Sequence, residues 1–320
     1  MGSERLPFVR GLVVACVALL AHAESSALAA PISDPAADER AAATMREVER
    51  LSKEGPFTAD TARRLLRIAG DDKMPQGARN QALIAYGKVA AKAGMASEAA
   101  REVMELRKAA GLFAYEALIE VGPPALPQLM WVLSSCSDKQ GQTGSLMDPK
   151  ATIEMDEGTM AAAGVALIVE KHPAAPESKE AAPGLVRALG CGDSRVRMGA
   201  ARALAMQERL EKPELVALRR LLRSDKRPHT RGLVAGVLGS VAPRDAESLG
   251  ALDSALGDRA ELVQLAAATA LVRLGRDGRA RATLEKLGKS KDPEISKLAD
   301  NVSKEAAASP SAARDPGKPR

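Results

Sequence analysis

The chain has 320 residues, of which 46% are hydrophobic but only 2% aromatic, so its apolar content is mostly Ala, Leu and Val. That balance is poor in the aromatic residues from which enzyme pockets are built, and 27% charged residues exclude a multi-span membrane protein and wholesale disorder. A formal net charge of +5, few aromatics and three histidines give no case for nucleic-acid binding or a metal centre.

The N-terminus reads as an address. Arg5 and Arg10 precede the apolar run Gly11–Ala21, which is too short to span a bilayer, and small-x-small sites follow at Ala21-His22-Ala23 and Ala27-Leu28-Ala29. Residues 1–29 are therefore expected to be a secretory signal peptide, and the mature chain periplasmic or extracellular. Val13-Val14-Ala15-Cys16 loosely follows a lipidation motif, but Cys16 sits inside the apolar run, a poor place for a lipid anchor. Residues 30–57 read as a linker leading into a first helix, with Ala30–Thr44 flexible.

Helical periodicity fills residues 58–306. Ala59–Ala69 pairs with Gln76–Ala90, and Ser97–Lys108 follows. Gly111–Leu133 reads as a helix ending at Gly122, then a second opened by Pro123 and Pro124 and carrying Leu126, Leu129, Met130 and Leu133. Further on, a 33-residue step from Val196 reaches His229, Leu262 and Ile295, each just after an aspartate: Asp193, Asp225, Asp258 and Asp292. These aspartates are expected as N-caps rather than catalytic acids. Second helices lie between, at Pro183–Leu189, Pro213–Leu222, Ala246–Leu256 and Arg279–Leu287.

The helical pairs, the EVGPPALPQL junction and the D-x-x-V-R-x-x-A-A-x-A-L pattern from Asp193 to Leu204 resemble HEAT repeats, in particular the short bacterial kind named after phycobilisome lyases. The resemblance implies an all-α fold, an armadillo-like α-α superhelix of about six to seven helical pairs, right-handed, with second helices on a concave face. Solenoids of this sort act by offering a long surface. The lyase activity in the family's name finds no chromophore-handling residue here, and export argues against it.

Two interruptions stand out. Residues 134–158 lack periodicity and read as a surface insertion, acidic at Asp148, Glu154, Asp156 and Glu157 but without calcium-loop spacing. Cys136 and Cys191 each head a C-x-D step after a second helix in adjacent repeats; in an exported chain they are expected to form a disulfide. Residues 307–320 read as a disordered tail.

No catalytic constellation is present in the sequence: no His-Glu step, nucleophile elbow, phosphate loop or C-x-x-C. No cofactor or metal is expected. Trp131 lies off the apolar stripe of its helix and is a candidate anchor for a partner. Arg187 and Arg220 fall 33 apart on successive second helices and, with Arg219, Arg223 and Lys286, form a candidate basic stripe on the concave side, suited to an acidic peptide or polysaccharide. The expected function is an exported, non-catalytic scaffold that binds another protein. The rivals are an accessory or lyase-like factor acting on a bound cofactor or partner enzyme, and a structural element of the envelope.

Overall fold

The computed structural model describes residues 35–136, 156–207 and 209–308. The chain divides into two units at Thr44/Met45. The described part of the first, residues 35–44, is helical. The signal peptide, most of the insertion and most of the tail lie outside the described residues.

The described residues hold α-helices and a short 3-10 turn. In chain order they are α1 (Pro35–Lys53), α2 (Ala59–Gly70), α3 (Gln76–Lys92), α4 (Ala96–Ala110), α5 (Leu112–Val121), a 3-10 turn (Pro123–Ala125), α6 (Leu126–Ser134), α7 (Glu157–Lys171), α8 (Pro176–Glu180), α9 (Ala182–Ala188), α10 (Ser194–Ala205), α11 (Lys212–Ser224), α12 (Pro228–Val241), α13 (Ala246–Ala255), α14 (Glu261–Arg273), α15 (Asp277–Leu287) and α16 (Pro293–Ala308). This is an all-α repeat solenoid. Six complete pairs run from α3/α4 to α14/α15, with α8 and α9 together serving as one second helix, and α2 and α16 flank them.

Two element expectations change. Pro35 to Thr44 is not a flexible stretch but the first half of α1, because PAADERAAATMREVERLSK is rich in strong helix formers with Pro at its start and an i,i+4 Glu49–Lys53 pair at 2.6 Å. The N-terminal helices also make more than the expected pair: α3 packs against α2, as expected, and in addition stacks on α5 as a first helix with α4 as its second helix.

The repeat register slips by one residue in the middle. Val196 is buried as expected, but His229 is exposed and Leu262 is 39% exposed; Thr230 and Val263 take the buried places. Asp225 comes one residue early, 32 after Asp193, and two residues separate it from α12 where none separate Asp193 from α10; the net shift is one residue, and the same two-residue gap between Asp258 and α14 preserves it. Asp193 still caps α10, accepting from the Arg195 amide at 2.7 Å, and Asp292 accepts from the Glu294 and Ile295 amides at 2.9 and 3.3 Å. Asp225 and Asp258 instead close the preceding turn, accepting from the Arg227 and Ala260 amides at 2.8 and 2.9 Å.

First helices are packed tightly along their row. A methyl added at Gly199 would stand 2.7 Å from Ala162 Cβ, and one at Gly239 would stand 2.6 Å from Ala270 Cβ, so only glycine allows α10 against α7 and α12 against α14 at these distances. Second helices meet their row neighbours far more sparingly.

A polar ladder locks the turns together. Arg197 donates to the Cys191 and Gly192 carbonyls at 2.8 and 2.7 Å, Arg231 to the Asp225 carbonyl at 2.8 Å, and Gln264 to the Asp258 carbonyl at 2.5 Å. The three side chains are buried, so each satisfies a turn carbonyl that water reaches poorly. Crosslinks to the neighbouring turn are added by Arg227, which donates to the Cys191 and Gly190 carbonyls at 2.9 and 3.0 Å, and by Arg231, which grips both oxygens of Asp258 at 2.8 and 2.7 Å.

Candidate protein-binding surface

Sequence dictates which second-helix residues face outward. In α6, Leu126, Leu129, Val132 and Leu133 are buried, which leaves Pro127, Trp131 and Ser134 on the opposite side. Trp131 is 57% exposed. One turn of the same logic puts Arg101, Glu105 and Lys108 outward on α4, Arg187 on α9, and Val216, Arg220 and Arg223 on α11. Lys286 is outward on α15.

A groove of about 490 Å³ runs between α4 and α6, lined by Arg101, Met104, Glu105, Arg107, Pro127, Gln128 and Trp131. The Arg107 guanidinium lies over the Trp131 ring at 5.4 Å and its Nε is 3.5 Å from Glu157 Oε1. The cation thus holds the indole while keeping a carboxylate partner at the start of α7. Just beneath, the buried Tyr115 hydroxyl is pushed up to about 12, first by burial, then by Glu157 and Asp156, with Arg107 opposing.

The predicted basic stripe separates into two kinds of residue. Arg187, Arg220, Arg223 and Lys286 are exposed. Arg219 is not available to a partner: it is 6% exposed and donates to Asp245 at 2.8 Å, Ser248 at 3.3 Å and Glu247 at 2.5 Å. Its place on the α11 helix points it toward α13, one position away from outward Arg220, and the carboxylates there repay its burial. Lys286 is separated from the rest by α13, whose Asp253 pairs with Arg279 at 2.6 Å. Trp131, Arg187, Arg220 and Arg223 remain on three successive second helices. Met130 closes over Gly184 on α9, and a methyl at that glycine would stand 3.6 Å from Arg187 Nη2, so the Arg187 head lies close to the α6 edge.

Cys136, at the end of α6, and Cys191, after α9, are joined as a disulfide with Cα atoms 5.9 Å apart. Among the described residues no group of three or more His, Cys, Asp or Glu side chains is arranged to hold a metal ion, and no helix is long and apolar enough to cross a membrane. His229, exposed at the start of α12, has its pKa lowered by burial of part of the ring and by Arg197. His172 is exposed beyond the end of α7. A second, apolar groove of about 380 Å³ lies on the first-helix row, between Leu262, Ala266, Leu298 and Val302, with Arg273 at its edge.

No protein-family model matches the chain, and no curated protein matches it. Among solved structures it is similar to two engineered proteins, both Northeast Structural Genomics Consortium targets. One has 19% identity, with 87% of this chain and 76% of the other covered at a TM-score of 0.41; the second has 19% identity, with 78% and 99% covered at 0.38. A designed armadillo repeat protein is similar over 76% of this chain and 98% of its own, at 18% identity and a TM-score of 0.31.

Sequence reasoning finds Trp131 but misses its companions. Gln128 stands on α6 itself, while Arg101, Met104 and Arg107 come from α4, across a helix junction whose partner helix the periodicity does not reveal. The available signal was Gly111, which ends α4 at a positive φ of 57° and resets the pairing.

Proposed function

We propose that the chain is an exported, non-catalytic scaffold that binds another protein through the outward face of its second helices, centred on Trp131. The observation that carries this reading is the 57% exposed indole, held by Arg107 beside an open groove. An exposed Trp fixed in place is costly to leave in water and is the side chain most often found at the energetic centre of an interface. The stacked helices support it with a long surface on which successive second helices present their outward residues.

The signal-like residues 1–29 support export. Intact mass of chain recovered from outside the cytoplasm is expected to begin after Ala23 or Ala29. For binding, the chain and a Trp131→Ala version serve as baits in envelope extract. A protein held by the first and lost by the second is the expected result. Retention by both refutes this site, and no protein under mild conditions refutes the scaffold.

A further inference from the structure

We infer that the partner segment on this face is an extended, acidic strand that crosses α4, α6, α9 and α11 and sets one side chain on each helix. This rests on the binding role just proposed and specifies the occupant of the same surface.

The outward residues of these four helices are complementary to such a strand and poor for a helix. Arg101 and Lys108 stand on α4, with the Arg107 guanidinium at the groove wall; Trp131 stands on α6; Arg187 on α9; Arg220 and Arg223 on α11. Among the described residues, Arg101, Arg187, Arg220 and Arg223 make no salt bridge. The carboxylates on the same helices are fewer on the outward side: Glu105 lines the groove and Glu98 stands a turn away on α4, Glu214 is half-buried on α11, Glu180 is exposed and Glu177 half-buried on α8, and α6 and α9 carry none. Beyond α11 the row changes character, since Glu247 is taken by Arg219 and Asp253 by Arg279. The stripe therefore has an end, and its length is set by four helices.

Spacing gives the strand its pattern. Packed helices lie about 8–10 Å apart. An extended chain advances about 3.3 Å per residue. One helix is crossed every third residue, roughly, and three intervals take about ten residues in all. The side chain over Trp131, Met104 and Pro127 is apolar, and those over α4, α9 and α11 are acidic. The pattern is acid-x-x-apolar-x-x-acid-x-x-acid.

The test uses a synthetic ten-residue peptide with Glu at positions 1, 7 and 10, Leu at 4 and Ser or Thr elsewhere. Trp131 is the one tryptophan of the chain, so its emission reports binding at the groove without a label. Addition of the peptide is expected to shift that emission saturably. Each exposed ion pair is worth roughly 1.4- to 5-fold in affinity. The Gln-for-Glu peptide and an Arg187→Glu/Arg220→Glu chain are thus each expected to bind on the order of tenfold more weakly. Lys at peptide positions 7 and 10 is expected to restore binding to the charge-reversed chain. Equal binding of the Gln peptide, or no effect of charge reversal in a chain with unchanged circular dichroism, overturns the acidic strand. So does an emission shift with oligogalacturonate but not with peptide, which assigns the stripe to an acidic polysaccharide. If no peptide moves the emission while an envelope protein is still lost on Trp131→Ala, this inference fails and the broader binding role stands.

Discussion

Removal of the Cys136–Cys191 crosslink provides a demanding test of how the two repeats flanking the insertion are held. The bond closes a loop with a sequence separation of 55. The chain-entropy relation gives about −14 cal/mol/K for a loop of that length, or about 4 kcal/mol of stability at 25 °C, contributed by restricting the unfolded chain. The native geometry does not depend on the bond alone. Met130 still closes on Gly184, and the Cys191 carbonyl still accepts from Arg197 and Arg227 at 2.8 and 2.9 Å. A Cys136→Ala/Cys191→Ala chain is therefore expected to keep its helical circular dichroism and lose about 4 kcal/mol in urea unfolding followed at 222 nm. Two free thiols in freshly purified protein would refute the pairing. A bonded pair whose removal costs under about 1 kcal/mol would refute the entropic reasoning, and lost helicity in the double variant would show that the bond shapes the native state.

Four further outcomes follow from the packing and the ladder. Asp258→Ala leaves the 3% exposed Arg231 without its carboxylate and is expected to cost about 3–5 kcal/mol in the same urea assay, far more than removal of the exposed Asp253. Asp193, Asp225 and Asp258 are desolvated, yet their Arg and amide partners outweigh burial and hold all three below the usual carboxylate range. Their contribution is thus complete above about pH 4 and lost as pH falls through the depressed native values, so acid unfolding monitored by circular dichroism is expected to have its midpoint below pH 4. Gly239→Val drives a side chain into Ala270 and is expected to cost about 1–3 kcal/mol or more, whereas Gly250→Val on the open side of α13 is expected to cost less than half as much. Burial pushes Tyr115 up to about 12, and burial and the Glu102 carboxylate push Tyr86 up as well; absorbance at 295 nm is expected to stay flat through pH 10 in the folded chain and to rise there once urea unfolds it. Because the neutral phenols are favoured in the native state, stability falls as pH rises above about 10.

Much of the fold is legible in residue order because each helix declares its limits locally. Asp193 and Asp292 cap, Pro123 and Pro176 open, and Gly111, Gly122 and Gly275 at positive φ close. Phase is harder to read. A strict 33-residue step runs through His229 and Leu262, whereas the buried partners of Val196 are Thr230 and Val263; two residues before a helix leave no mark in a periodic average. Which row packs tighter is set by pairs such as Gly199 with Ala162, whose partners lie in different repeats and whose composition looks ordinary in either helix. At the candidate surface, Trp131 betrays itself by sitting off the apolar stripe. Arg219 and Arg220 are neighbours of the same type, and only the position of Asp245 and Glu247 on the next second helix decides that one is buried structure and the other free surface.

The closeness of the first-helix row has a mechanical consequence. An edge in which glycine lets backbone approach a neighbour's alanine has no slack to compress, so it resists any closer approach of α10 to α7 or of α12 to α14. The opposite edge, where second helices touch sparingly, takes up the strain of bending, like the open side of a fan hinged at its pins. The Cys136–Cys191 bond and Met130 on Gly184 tie α6 to α9, so flexing is expected to be taken up between α9 and α11, and with it the separation of Arg187 and Arg220. A strand laid across those two residues would act as a strut at that joint.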